Sequence, residues 1–171
     1  IAAASIALCS NIFAEETYTT GTIDVYSVAP LPGIGIEKSI LPSAIQEVNM
    51  DQVKEQSGVS IADYLVNNAA GVTVTEVGGN PWQPEIKFRG YTAGSIAGNE
   101  QGISVFVDGV RENQPFSDVV LWDTLPSFAY ESAQVVPGSN PIYGLNTLGG
   151  AVSFQTKSGR NFVGSNVSFT A

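Results

Sequence analysis

The sequence predicts an α+β fold of short strands, short helices and long loops. Three observations carry that expectation. Apolar residues recur with a period of two in four separate runs beyond Gly71, as half-buried strands require. Between Asn49 and Leu65 the spacing is helical instead, with capping residues in place. Eighteen glycines and nine prolines in 171 residues interrupt the chain often enough to keep every element short.

From the N-terminus, "IAAASIALC" and the residues up to Phe13 are small and apolar, and Ala14 precedes the acidic, hydroxyl-rich "EETYTT". Residues 1–14 therefore look like the tail of a secretory signal with Ala14 as the cut. No window reaches the ~18 consecutive apolar residues of a membrane-spanning helix. Residues 15–42 form an arm rich in Thr, Gly and Pro, with one β-favouring island, "TIDVYSV", at Thr22 to Val28. The following "APLPGIGIEKSILPS" carries three prolines and two glycines and is expected to be a linker.

Asn49 can cap a helix with Gln52 three residues on and Gly58 as its stop, giving Met50 to Ser57. Ser60 can cap a second helix in which Ile61, Tyr64 and Leu65 share a face. Strands are then expected at "VTVTEV", "EIKFR", "ISVFVD" and "AVSFQT", separated by glycine-rich loops. The Asp108-Gly109 pair in "FVDGVREN" predicts a tight hairpin turn with Gly109 at positive φ. Loops this long are usually functional or supported from outside the domain. At the C-terminal end, Val163, Val167, Phe169 and Ala171 alternate with Gly164, Asn166, Ser168 and Thr170. That pattern fits the opening strand of an outer-membrane barrel, and equally an ordinary edge strand.

Composition removes several functions. Sixteen acidic and seven basic side chains give a formal charge of -9, which repels nucleic acid. Histidine is absent, so no histidine-dependent triad exists, and the single cysteine, Cys9, permits no internal disulfide and no thiolate zinc cluster. "GSNPIYGLNT" has the glycine density of a phosphate loop but lacks the Lys-Ser or Lys-Thr pair after Gly144. "VGGNPW" lacks the spacing of a dinucleotide site. The carboxylates are scattered at irregular spacing, so a two-carboxylate hydrolase is a weak alternative. No cofactor and no metal site is expected.

Three stretches point to a family. "IKFRG" (Ile86 to Gly90), "ISVFVDGV" (Ile103 to Val110) and "ESAQVVPGSNPIYGLNTLGGAVSFQTK" (Glu131 to Lys157) resemble, in order and spacing, the plug domain of TonB-dependent outer-membrane receptors. The resemblance runs from about Ile45 to Lys157. It implies a small mixed β-sheet plug at residues 43–157, with the first strand of a transmembrane β-barrel at 158–171. The chain departs from the family where Pro137, Gly138 and Ser139 replace an Arg-Gly-Pro, and where Ser132 and Gln134 stand in place of an Arg and Glu pair. Arg89 and Glu131 remain as the expected charged anchors to a barrel wall.

The resemblance also implies a function: gating of TonB-energised uptake of a scarce nutrient, such as an iron chelate or cobalamin, in the outer membrane, with the arm in the periplasm. Thr22, Ile23, Asp24, Val25, Tyr26, Ser27 and Val28 would be the TonB box, a β-prone segment able to add to a sheet edge of TonB. Trp82, Gln83, Arg89, Tyr91, Gln114, Phe116 and Trp122 are the expected ligand contacts, because aromatics near an arginine suit a bulky, partly anionic ligand. The alternative is a secreted β-rich ligand- or glycan-binding module.

Overall fold

The structure is a computed structural model that describes residues 25–26, 36–37, 44–50, 60–139, 141–160 and 162–164. Strands β1 (Val25–Tyr26) and β2 (Ile36–Glu37) pair antiparallel, Val25 opposite Glu37 and Tyr26 opposite Ile36. The segment expected to be a linker thus contributes a strand to the island before it. Strand β3 (Gln46–Asn49) follows, and Met50 leaves it in a turn whose N–H donates to the Glu131 carbonyl. Asn49 therefore closes a strand, while residues 51–57 of the helix expected there lie outside the described residues.

Helix α1 (Ile61–Asn68) forms where the Ser60 cap predicts it. The Ser60 N–H donates to Asp63 Oδ2 at 3.1 Å, and Ser60 Oγ lies 3.4 Å from the same oxygen. An acid in the first turn also suits the positive end of the helix dipole. Ile61 and Leu65 are buried and Tyr64 packs beside them. Strands β4 (Val72–Glu76), β5 (Pro84–Phe88) and β6 (Tyr91–Ala93) make an antiparallel meander. Strands β7 (Ile103–Val107), β8 (Val110–Arg111), β9 (Tyr130–Pro137) and β10 (Gly150–Thr156) join β3 in a five-stranded sheet of order β3-β9-β10-β7-β8. The sheet is mixed: β10 runs parallel to β7 and antiparallel to β9.

Alternation along these strands sorts the side chains onto two faces. Ile103, Val105, Ala133, Val135, Val152 and Phe154 join the main core with Ile61 and Leu65 of α1 and Ile86 and Phe88 of β5. The helix and the meander thus cover that face. Phe154 is fully buried, with Trp122 edge-on at 6.5 Å and Tyr130 at 5.1 Å between ring centroids. Phe106, Val136 and Ala151 form a second cluster on the opposite face, with Tyr143 from the loop before β10. Ser104, Ser132, Gln134 and Ser153 are buried on this face too, so a simple apolar-in, polar-out pattern does not describe β7, β9 and β10. Neutral side chains at 132 and 134 mean that no charge needs a counter-ion at those buried positions. The expectation of a small mixed sheet with a helix and loops is met. Phe162 to Gly164 are exposed and not in a strand, and residues 165–171 of the expected barrel strand lie outside the described residues.

Candidate functional site

Two tight hairpins frame the loops. Phe88 pairs with Tyr91 across Arg89 and Gly90, and Val107 pairs with Val110 across Asp108 and Gly109. All four turn residues have positive φ (53° and 85°, 48° and 83°), the signature of the type I′ turn that matches strand twist. Gly109 behaves as its sequence predicts; Arg89 adopts a left-handed conformation that a bulky side chain rarely takes. Asp108 then locks the far end of β10, accepting from the Thr156 N–H at 2.9 Å and from the Thr156 hydroxyl at 2.7 Å.

A polar network ties the loop after β8 to the loop before β10. Arg111 Nη2 donates to Asp118 Oδ1 at 2.9 Å and to the Leu145 carbonyl at 2.8 Å, while Asn146 Nδ2 donates to Asp118 Oδ2 at 2.7 Å. Ser117, Asp118 and Asn146 all sit at positive φ. Beneath them, buried Asn113 accepts from the Val105 N–H at 2.7 Å and donates to the carbonyls of Ile103 and Asp118. One side chain thus completes hydrogen bonding at the start of β7 and fixes the loop above it. None of these four polar residues, Arg111, Asn113, Asp118 or Asn146, was among the expected site residues. Their signal in sequence is faint: short polar side chains that tolerate left-handed backbone, crowded around Pro115 and Gly144.

Between these loops lies a cleft of about 610 Å³, lined among others by Tyr91, Glu100, Gln101, Asp118, Asn146 and Leu148. Tyr91 packs against Gly102 and Gly149, whose missing side chains make the room it occupies. Among the described residues no cationic side chain lines the cleft; Arg111 is engaged by the lining residue Asp118.

The expected ligand residues divide. Tyr91 lines the cleft, and exposed Gln114 and Phe116 flank Pro115, which also lines it. Arg89 is exposed beside lining residue Gly90, with its guanidinium 5.8 Å from the Phe88 ring centroid. Trp82 instead lines a separate groove of about 160 Å³ with Phe128 and Pro126, and the Gln83 side chain accepts from Asn80 at 3.3 Å. Trp122 is only 1% exposed and donates its indole N–H to the Ala93 carbonyl at 3.1 Å, so it is a core residue and a loop contact in name only. The reason is local: Val120 and Leu125 are buried in the same core cluster as Trp122, so this part of the loop turns inward. Glu131 is half-buried on β9. Of the expected box, Val25 and Tyr26 form β1; the other five residues lie outside the described residues. Burial pushes the Tyr130 hydroxyl up to about 12, with Glu112 and Asp108 adding to the shift.

A family model, the TonB-dependent Receptor Plug Domain, matches residues 37–151, more than half of the chain. The chain belongs to this family. Among solved structures, the plug is similar to the RagAB peptide importer in its open-open state, with 24% identity, a TM-score of 0.57 and coverage of 78% of this chain and 14% of that one. It is also similar to the hemophore receptor HasR of Serratia marcescens (17% identity, TM-score 0.53, 72% of this chain and 18% of that one). A third similar structure is the ferric yersiniabactin uptake receptor FyuA of Yersinia pestis (20% identity, TM-score 0.50, 68% and 17%). At these identities the likeness establishes the plug fold. The chain spans less than a fifth of the length of each of these three structures. A comparison with curated protein sequences finds no match.

Proposed function

We propose that this plug gates uptake of a scarce nutrient through an outer-membrane receptor energised by TonB. The observation that carries the reading is the family match over 37–151, which takes in β3 to β8, β9 and the start of β10 and therefore the cleft between their loops. Similar structures include a ferric siderophore receptor, a hemophore receptor and a peptide importer, so the family handles several nutrient classes. An iron chelate is consistent with that range.

In this reading residues 1–14 are a signal remnant, 15–42 a periplasmic arm, 43–157 the plug and 158–171 the first strand of the enclosing barrel. Ligand occupies the 610 Å³ cleft with Tyr91 at its wall and Phe116 and Arg89 at its margin. Trp82 in the second groove, with exposed Gln83 next to it in the chain, offers a separate contact to ligand or barrel. Arg89 and Glu131 anchor the plug to the barrel. TonB takes Thr22 to Val28 by strand addition, where main-chain bonds supply affinity. Supporting this, Val25 and Tyr26 already adopt strand geometry against Ile36 and Glu37.

A synthetic Thr22 to Val28 peptide tests the assignment. It is expected to compete with the intact receptor for TonB; absence of competition, with the receptor itself binding TonB, overturns the box.

A further inference from the structure

The lining of the cleft specifies a class of ligand, resting on the reading that the cleft is where ligand sits. Among its charged lining residues, Asp118 is already neutralised by Arg111 at 2.9 Å, which leaves Glu100 without an ion pair among the described residues. Arg89, the cation next to the cleft, lies over Phe88 and does not line it. An anionic chelate entering here would meet an unopposed carboxylate in the lining, while the nearest guanidinium among the described residues outside the Asp118 pair, that of Arg89, stands only at the margin.

The neutral groups have a definite hydrogen-bonding character. Asn146 commits one Nδ2 hydrogen to Asp118 and Asn99 one to Glu85, so each amide keeps one N–H and its acceptor oxygen for other partners. Glu100 adds two acceptor oxygens. Gln101 is the opposite case: its Oε1 accepts the Gly94 N–H at 2.8 Å, while its Nε2 is buried with no partner among the described residues. The cleft therefore presents donors and acceptors side by side and asks for a ligand that can do both. A hydroxyl does both, and neighbouring hydroxyls on a ring can bridge the two oxygens of one carboxylate. Tyr91 remains 39% exposed although its ring rests on Gly102 and Gly149, leaving an apolar surface for the C–H face of such a ring.

We propose that the cleft binds a neutral, hydroxyl-rich ligand of the oligosaccharide class. A ferric chelate bearing net negative charge would be disfavoured there.

The test uses the full-length receptor in detergent, with Glu100→Lys, Glu100→Gln and Tyr91→Ala variants, against three probes: an array of neutral oligosaccharides, an anionic ferric tris-catecholate, and a lysine-rich peptide. The expected result is binding of at least one neutral oligosaccharide with little salt dependence, weakened about tenfold or more by Glu100→Lys and by Tyr91→Ala, with Glu100→Gln milder. Exclusive binding of the tris-catecholate, strengthened by Glu100→Lys, overturns the ligand class while leaving the transport reading intact. Exclusive binding of the peptide, steeply salt-dependent and lost in Glu100→Gln, overturns it in the same way. Binding that ignores all three variants overturns the placement of ligand in the cleft, and so the reading beneath the proposal. An array with no bound member overturns the proposal.

Discussion

Gly149 and Tyr91 meet so closely that neither position has freedom to change: a Cβ placed on Gly149 would lie 2.5 Å from the Cβ of Tyr91. On Gly102 it would lie 2.7 Å from Tyr91 Cδ1. Both glycines are joined by a hydrogen bond from the Gly149 N–H to the Gly102 carbonyl at 2.9 Å, so the backbone cannot easily retreat. Gly149→Ala is expected to destabilise the plug by about 1–3 kcal/mol, with Gly102→Ala milder because its clash falls on a ring atom. Chemical denaturation of the purified receptor checks this; an unchanged midpoint for Gly149→Ala would refute it.

Gly150 poses a harder constraint. Its φ is +147°, and a Cβ there would lie 2.3 Å from the Val136 carbonyl oxygen in the β9–β10 ladder. Gly150→Ala combines backbone strain with a main-chain clash and is expected to cost more than Gly149→Ala, with loss of folded receptor at the membrane. Equal yields of folded receptor from the two variants would contradict that order.

At 8% exposure Asn113 accepts from the Val105 N–H and, at 3.5 Å, from Arg111 Nε, and donates to the Ile103 and Asp118 carbonyls. Asn113→Ala strands the Val105 N–H and two carbonyls, for an expected loss of about 2–3 kcal/mol. Asn113→Asp keeps the acceptor for Val105 but sets an oxygen against the Ile103 and Asp118 carbonyls, so it should rescue little. Full rescue by Asp would show that the donated bonds are idle.

Arg111 joins two loops through Asp118 and the Leu145 carbonyl. Since both side chains are partly exposed, Arg111→Ala should cost only about 1 kcal/mol globally. Its main effect should be local: faster amide exchange in 114–118 and 143–147. Arg111→Lys should restore the charge without the forked geometry and recover only part of the protection. Unchanged exchange in both loops for the alanine variant would remove the network from the account.

Tyr130 sets an alkaline limit. Burial, then Glu112 and Asp108, raise its hydroxyl from 10.0 to about 12, so the folded state resists ionisation that the unfolded chain permits. The sign follows: the neutral hydroxyl's contribution is complete below pH 10 and is lost as pH rises towards about 12. Denaturation midpoints on either side of pH 10 should fall less steeply in Tyr130→Phe than in the native protein. Parallel losses would contradict this.

Much of the fold is legible in the residues themselves. Ser60 with the face of Ile61, Tyr64 and Leu65 announces α1, Asp108-Gly109 announces its turn, and the alternation at Val72, Ile86, Ile103 and Val152 announces four strands. The longest strand escapes. β9 pairs with both β3 and β10, yet "YESAQVVP" buries Ser132, Ala133 and Gln134 in sequence, so neither face reads as apolar. Its strand character comes from partners on both sides, which a local pattern cannot record. β3 is hidden for a related reason: four residues at an edge, held by β9 and by Gln46, whose side chain takes both the N–H and the carbonyl of Ala70. At the site, aromatic residues were visible by type but not by burial, and Trp122 went to the core. The cleft's polar ring depends on turns that bring residues 99–101, 115–118 and 146 together across separate loops, which sequence spacing does not encode.

The central claim is that an N-terminal arm pulls on a plug whose cleft holds the nutrient. The most direct measurement is uptake by cells expressing the full-length receptor with Val25→Pro, a change that removes a main-chain donor from β1 and disfavours strand addition. The account predicts that ligand binding at the cell surface persists while accumulation inside is abolished. Accumulation at the native rate would contradict it.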